Sequence, residues 1–351
     1  MNKPVRVFLV EDSPVASTIL QRILASASEV EIVGIANDGI SALKQIPQSK
    51  PDVVCTDLLM SKMDGWELID RLMRQFPIPI LVISEVITND DTQKIAQLLE
   101  AGAIDVFPKP QTGFIKDYEK QKSKLIQKII ILSGVKVFAR NKVASSVQFD
   151  NHDYPKKAAQ KVNINYQIIT IGVSTGGPKA LQKIFSQLPA DFPVPIVCTQ
   201  HISVGFLSSL ISWLSLDSSL KIKVAESGEK PTAGTIYFAP EQYHLTINHQ
   251  ERFCYDSSPL FDPYCPSITA MFQSFAQFYN QTMIGVLLTG MGKDGVAGMQ
   301  EVYRRGGLNI AQDEASSVIF GMPFEAINLG IVQQVLSIDK IANFLLDTVT
   351  H

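Results

Sequence analysis

"ITIGVSTGGPKAL", residues 169–181, is the stretch from which the architecture of the second half of the chain can be read. An apolar strand enters a turn of three glycines, a serine and a proline, and a helix-period pattern leaves it. A strand that is apolar along its whole length is buried on both faces, which belongs to a parallel sheet covered by helices. The turn admits two chemistries. Backbone N–H groups at a helix N-terminus can hold a phosphate, or the turn can present Ser174 as a nucleophile. "GVSTG" fits the G-x-S-x-G pattern, with Gly172 and Gly176 relieving crowding around a strained serine and Pro178 in the first helical turn. A dinucleotide cradle fits worse, because G-x-G-x-x-G is not met and no Walker lysine–hydroxyl pair follows. The glycine pattern is short, and serine is also a frequent helix cap, so its partners decide.

A serine nucleophile needs a base, and histidine is the usual one. Of the five histidines, His152 lies in an irregular connector and His351 is the last residue. His244 and His249 sit on a hairpin-like segment where a packed or exposed histidine needs no special role. His201 ends the buried strand "VPIVCTQH", on the sheet edge where Ser174 should also emerge. The third member is an acid that orients the imidazole and stabilises its protonated form. Asp294 in "LLTGMGKDG" and Asp313 in "IAQDEASS" both follow strands, and chemistry alone does not choose between them. The glycine-rich loop favours Asp294 slightly, since it permits close backbone approach and an oxyanion N–H. By the geometry of such a turn, the Thr175 N–H is a second oxyanion donor. The order Ser, His, Asp differs from the Ser, Asp, His order of α/β-hydrolases.

Outward from this turn, "MIGVLLT" and "LNIAQ" read as further buried strands, whereas "GTIYFAPEQYHLTINHQERFCYD" alternates like antiparallel strands or a hairpin. The expected second unit, residues 165–351, is a doubly wound, mostly parallel α/β domain with a β-hairpin excursion. Upstream, residues 126–164 carry the end of a connecting helix and a Ser-, Asn- and Lys-rich linker. Residues 1–125 alternate strand and helix five times: "VRVFLV", "EIVGIA", "DVVCT", "PILVIS" and "DVFPK" are the strands. Their helices begin near Pro14, Gly39, Gly65 and Asp90, and the last is "DYEKQKSKLIQKIIIL". With 351 residues, 46% apolar and 19% charged, two soluble domains of this kind are expected.

Composition excludes several classes. A net charge of -3 supplies no basic field for nucleic acid. Cys55, Cys198, Cys254 and Cys265 show no CxxC spacing, which fits a reducing compartment without disulfides or zinc. The N-terminus enters a strand without a signal-peptide core, and no apolar run is long enough to span a bilayer. A cytoplasmic protein without membrane insertion is the expectation.

In a doubly wound sheet, function collects at the carboxyl ends of strands. The five strands of the first unit end, in order, near Glu11-Asp12, at a second strand without a marked residue, and at Asp57, Ser84 and Lys109. Converging carboxylates make an oxygen-rich site for Mg²⁺, and a carboxylate can also take up a phosphoryl group. A nearby lysine and hydroxyl would sense the added charge.

The segments "VEDS", "TDLLMSKMDG", "VIS" and "FPKP" make residues 1–125 resemble the receiver domain of bacterial response regulators, a flavodoxin-like (βα)5 fold. The resemblance implies Asp57 as phosphoacceptor, Glu11 and Asp12 as partners in holding Mg²⁺, Ser84 as the switch hydroxyl and Lys109 as the phosphate partner. Ser61 departs from the family's usual proline, a loop adjustment. Residues from about 166 to 345 resemble the catalytic domain of the chemotaxis protein-glutamate methylesterases, the CheB family. The motifs are "IGVSTGGPKAL", "LPADFPVPIVCTQHIS", "GTIYFAP", "LLTGMGKDGVAG" and "IAQDEASSVIFGMP". This resemblance implies Ser174 as nucleophile, His201 as base, Asp294 as orienting acid and the Met291 N–H as oxyanion donor. It also implies no cofactor in the catalytic unit, methyl-accepting chemotaxis receptors as substrates, a chemotaxis histidine kinase as phosphodonor, and inhibition relieved by phosphorylation. Glutamine deamidation shares the tetrahedral path. One segment departs: Tyr264-Cys265-Pro266-Ser267-Ile268-Thr269 stands where the family often has His-Arg-Pro-Ser-x-Asp, so the substrate helix that meets it is expected to differ. A receiver-controlled hydrolase of another ester and a non-catalytic receptor-binding regulator are the alternatives.

Overall fold

A computed structural model describes residues 3–85, 101–110, 115–135, 137, 164–257 and 264–350. The helix expected from about Asp90, most of the connector, His152 and His351 lie outside the described residues. The chain divides into two units, Met1–Val147 and Gln148–His351.

In the first unit the strands are β1 (Val5–Val10), β2 (Val30–Ala36), β3 (Val53–Thr56), β4 (Ile80–Ser84) and β5 (Asp105–Pro108). They form one parallel sheet in the order β2-β1-β3-β4-β5. All of β3 and β4 is buried, as apolar runs without alternation require. The helices Pro14–Ala25, Gly39–Ser49 and Gly65–Gln75 begin on side-chain caps from Ser13, Asp38 and Asp64. The winding direction reverses between β1 and β3. That reversal opens a crevice at the carboxyl ends of these two strands, where Glu11, Asp12 and Asp57 follow.

The second unit is built on a sheet in the order β14-β13-β12-β6-β7-β9-β8. Its strands are β6 (Ile168–Val173), β7 (Ile196–Gln200), β8 (Lys221–Val224), β9 (Thr235–Phe238), β12 (Met283–Leu287), β13 (Leu308–Gln312) and β14 (Gln334–Leu336). Every pairing in this sheet is parallel. The antiparallel hairpin consists of β10 (His244–Ile247) and β11 (Phe253–Asp256) alone. "GTIYFAPEQYHLTINHQERFCYD" therefore splits: its first strand is buried at every position and joins the main sheet, and only the later, alternating part turns back as a hairpin.

β6 is the central strand, paired with β7 on one side and β12 on the other. All its residues are buried, and Ile168, Ile169 and Ile171 are fully inaccessible. Burying such a side chain stabilises the fold by about 1.5–3 kcal/mol. The chain leaves β6 toward β7 and later restarts at β12, so the topological reversal lies at β6. Ser174, His201 and the 289–294 loop all follow strands at this point.

Candidate functional site

Among the described residues, each unit carries a concentration of chemistry-bearing side chains at its sheet reversal. In the second unit, Ser174 follows β6 and its N–H donates to the Thr289 carbonyl at 3.0 Å. The His201 N–H donates to the Val173 carbonyl at 3.0 Å, which continues the β6–β7 ladder and sets His201 beside the serine turn. The Gln200 side chain braces the same corner: its Nε2 donates to the Ser174 carbonyl at 2.9 Å and to the His201 carbonyl at 2.8 Å. The turn's left-handed residue is Gly176, at φ +81°, and Ser174 is not among the positive-φ residues. The expectation of a strained serine is thus corrected, because the glycine two residues later absorbs the unfavourable conformation.

His201 Nε2 lies 2.8 Å from Asp294 Oδ2. Asp294 has no exposed side-chain surface. It accepts from Ser267 Oγ at 3.0 Å and from the N–H groups of Ile268, Thr269 and Gly295, each at 2.8 Å. Burial alone would push this carboxyl up. The His201 hydrogen bond and charge, with the Thr269 and Ile268 N–H groups, hold it well below the usual carboxylate range instead. An ionised carboxylate only accepts, so the neutral form of the imidazole paired with it carries its proton on Nε2 and its lone pair on Nδ1. Nδ1 is buried and has no hydrogen-bond partner among the described residues.

Asp313, the other candidate acid, is used differently. Its Oδ1 accepts from the Ser316 N–H at 3.0 Å and the Ser316 hydroxyl at 2.6 Å, closing a local turn. His244, which the sequence left without a role, is buried, and its Nδ1 accepts from the Ser267 N–H at 3.0 Å. His249 is exposed in the hairpin turn.

The proposed oxyanion donors lie on two loops that pack together. Thr175 is buried, and its carbonyl accepts from the Thr289 hydroxyl at 2.9 Å. Met291 follows Gly290, and a Cβ placed on Gly290 would fall 2.7 Å from Ser174 Cβ. Glycine is therefore required for this loop to reach the serine. The Met291 side chain is exposed.

Sequence reasoning missed the seat of Asp294. Ser267 caps the helix Ile268–Tyr279, and the first N–H groups of that helix donate to the carboxylate. A serine directly before the apolar-periodic run "ITAMFQSFAQFY" was the available signal.

In the first unit, Lys109 Nζ lies 2.6 Å from Asp57 Oδ2 and 3.0 Å from Glu11 Oε1. Asp57 Oδ1 accepts from the Leu58 N–H at 2.6 Å. Asp12 Oδ2 accepts from the Ser61 N–H at 3.1 Å, tying the β3 loop to the end of β1. Ser84 is buried at the end of β4, and its carbonyl accepts from the Lys109 N–H at 2.7 Å. Burial pushes the Asp57 carboxyl above its ordinary range against the pull of Lys109. Burial and then the Asp57 charge do the same to Glu11. Burial favours a neutral Lys109, yet the hydrogen bonds and charges of Asp57 and Glu11 hold it above the usual ammonium range. One lysine thus serves two buried carboxylates.

Glu11, Asp12 and Asp57 each bring an oxygen to within 4.8 Å of the others. Glu11 Oε2 is buried and has no hydrogen-bond partner among the described residues. An all-oxygen donor set with an unsatisfied lone pair and excess negative charge fits a hard divalent cation such as Mg²⁺. Among the described residues, no helix is long and apolar enough to cross a membrane. The free thiols of Cys55 and Cys198 are buried, and burial pushes Cys55 up to about 12.

Comparison with known proteins follows the same division. Residues 169–345 match the CheB methylesterase family, and residues 7–114 match the response regulator receiver domain. A protein-glutamate methylesterase/protein-glutamine glutaminase of Hahella chejuensis is 37% identical over 97% of each chain. One from Carboxydothermus hydrogenoformans is 39% identical over 96% of this chain and 97% of its own. The crystal structure of the Thermotoga maritima CheB methylesterase catalytic domain is 38% identical, with a TM-score of 0.51. It covers 52% of this chain and 99% of that domain.

Proposed function

The chain belongs to the CheB methylesterase family and carries a receiver domain, and we propose that it hydrolyses glutamate γ-methyl esters on methyl-accepting chemotaxis receptors under phosphorylation control. The observation that carries this reading is the state of His201. Its Nε2 is committed to a saturated, buried carboxylate, its Nδ1 is buried with no hydrogen-bond partner among the described residues, and its backbone N–H ties it to Val173, directly before Ser174.

In this mechanism Ser174 Oγ attacks the γ-carbonyl carbon while His201 Nδ1 accepts the hydroxyl proton. Asp294 stays ionised and stabilises the imidazolium that forms. The negative charge that develops on the carbonyl oxygen is taken up by the N–H groups of Met291 and Thr175. The C–O bond to the methoxy group then breaks as imidazolium protonates the departing methoxide oxygen, which leaves as methanol. Water, deprotonated by His201, attacks the acyl-enzyme and releases glutamate with Ser174 reprotonated. A glutamine side chain fits the same path with ammonia as the leaving group, which supports the deamidase activity named for the relatives.

In the receiver, Asp57 is the proposed phosphoacceptor, with a chemotaxis histidine kinase as donor. Glu11, Asp12 and Asp57 would hold Mg²⁺, which would offset negative charge on the incoming phosphoryl oxygens. Lys109 already contacts Asp57 and would pair with the phosphate, and the Ser84 hydroxyl would meet it at the neighbouring strand end. Phosphorylation relieves inhibition to the extent that it stabilises one arrangement of the protein over another. Domain boundaries at residues 125 and 165, a cytoplasmic location and a catalytic unit that needs no cofactor belong to the same proposal.

The test is methanol release from a methylated receptor cytoplasmic fragment by the full chain, with and without Mg²⁺ and a small phosphodonor. Ser174→Ala should abolish release, and phosphodonor should stimulate it in the wild type. Absence of release from every methylated receptor, with the protein folded, would refute the substrate assignment.

A further inference from the structure

Tyr264 lies in the segment that departs from the family pattern. Its ring stacks on the His201 imidazole with centroids 4.4 Å apart and an interplanar angle of 9°. The phenol oxygen reaches the loop after β12, 3.8 Å from the point that a Cβ on Gly292 would occupy. One side chain therefore spans the imidazole and the loop that carries Met291 and Asp294. Three residues further on, Ser267, Ile268 and Thr269 supply hydrogen bonds to Asp294. Both remaining features of the imidazole's setting thus come from one short segment: the aromatic face over its plane and the donors that fix its acid.

We propose that Tyr264 is a positioning residue for His201: its ring holds the imidazole plane so that Nε2 stays on Asp294 and Nδ1 faces the serine turn. An imidazole held by one hydrogen bond at Nε2 can still rotate about the line through that bond. A face-stacked ring removes the rotation, because turning the imidazole out of plane forfeits the contact. The same π-face meets the positive charge that appears on His201 during the reaction, and a cation over a tyrosine face is stabilised. Tyr264 is 38% exposed, so its replacement empties no core site. The inference rests on Ser174 and His201 acting as nucleophile and base.

The experiment uses the full-length protein and a fluorophosphonate reagent, which modifies a base-activated serine without any receptor. Wild type, Tyr264→Phe and Tyr264→Leu are compared by the saturation kinetics of Ser174 modification, with thermal melting as the control for folding. Tyr264→Phe keeps the ring and should label at the wild-type rate. Tyr264→Leu keeps apolar bulk without a ring and should lower the maximal modification rate about tenfold with unchanged reagent affinity. Wild-type behaviour of Tyr264→Leu would overturn the inference. A change in reagent affinity alone would also overturn it, since that marks a substrate contact. Loss in Tyr264→Phe equal to that in Tyr264→Leu would move the role to the hydroxyl and reject the stack. If wild type is not modified at Ser174, the serine reading itself falls, and this inference with it.

Discussion

Asp57 and Asp294 are both buried aspartates at a sheet reversal, and their surroundings drive them in opposite directions. Asp57 shares one lysine with Glu11 and lies in a three-carboxylate cluster, so burial raises its proton affinity. Asp294 accepts from three backbone N–H groups, a hydroxyl and an imidazole, which outweigh burial and keep it ionised. The difference lies in saturation of the oxygens rather than in burial. An undersupplied carboxylate is suited to take a cation and a phosphoryl group. A saturated one is a fixed anion that orients its neighbour and is itself chemically inert.

Substitution is the most direct way to break this contrast. Asp294→Asn removes the charge that fixes the Nε2–H tautomer, and it should lower esterase turnover about 10⁴-fold. Asp313→Asn, at a carboxylate engaged in a local turn, should leave turnover within about threefold. Equal losses in the two variants, measured by methanol release, would remove Asp294 from its assigned role. Asp57→Asn should abolish stimulation by phosphodonor while unstimulated release persists. Mg²⁺ affinity, read by titration calorimetry, should fall at least about tenfold in that variant, because one of three donors is lost.

Stability sharpens the comparison at smaller amplitude. The Asp294 carboxyl is depressed in the folded protein, so it contributes stability above its unfolded value of about 3.9, and this is lost as pH falls through the lower folded value. Acidification below about pH 4 should therefore lower the melting temperature of the second unit, and Asp294→Asn should flatten that slope. Asp57 is raised in the folded state, which reverses the sign: its contribution falls as pH rises through the raised value. Asp57→Asn should accordingly raise the melting temperature of the first unit at neutral pH without Mg²⁺. Added Mg²⁺ should stabilise the wild type and not the variant, which differential scanning calorimetry resolves. Smallest of all, His244→Phe should destabilise the second unit by about 1–3 kcal/mol, because the buried Ser267 N–H loses its acceptor.

Segment 264–269 shows where sequence reading was least complete. As a departure from a family pattern it pointed outward, to the substrate helix. The structure places it against His201 and Asp294, with Tyr264 on one and Ser267, Ile268 and Thr269 on the other. Its cap serine was legible from the apolar helix that follows, but a cap does not disclose which carboxylate it serves. The hairpin stretch taught a similar lesson on a smaller scale, since "TIYF" reads equally as a buried parallel strand or as half of a hairpin until its neighbours are known.

Sequence alone determined the alternation of buried strands and helices, the two units, and the residues at strand ends: Glu11, Asp12, Asp57, Ser84 and Lys109 in one unit, Ser174 and His201 in the other. These follow from local periodicity and from chain direction in a parallel sheet, which needs no knowledge of distant contacts. Tertiary structure decided which acid meets His201, which imidazole nitrogen keeps its lone pair, and which ring covers it. His201 and Asp294 are 93 residues apart in the chain, and Asp294 and Ser267 are 27 apart. Hydrogen bonds at such separations depend on how strands β6, β7 and β12 lie side by side, and no local pattern encodes that.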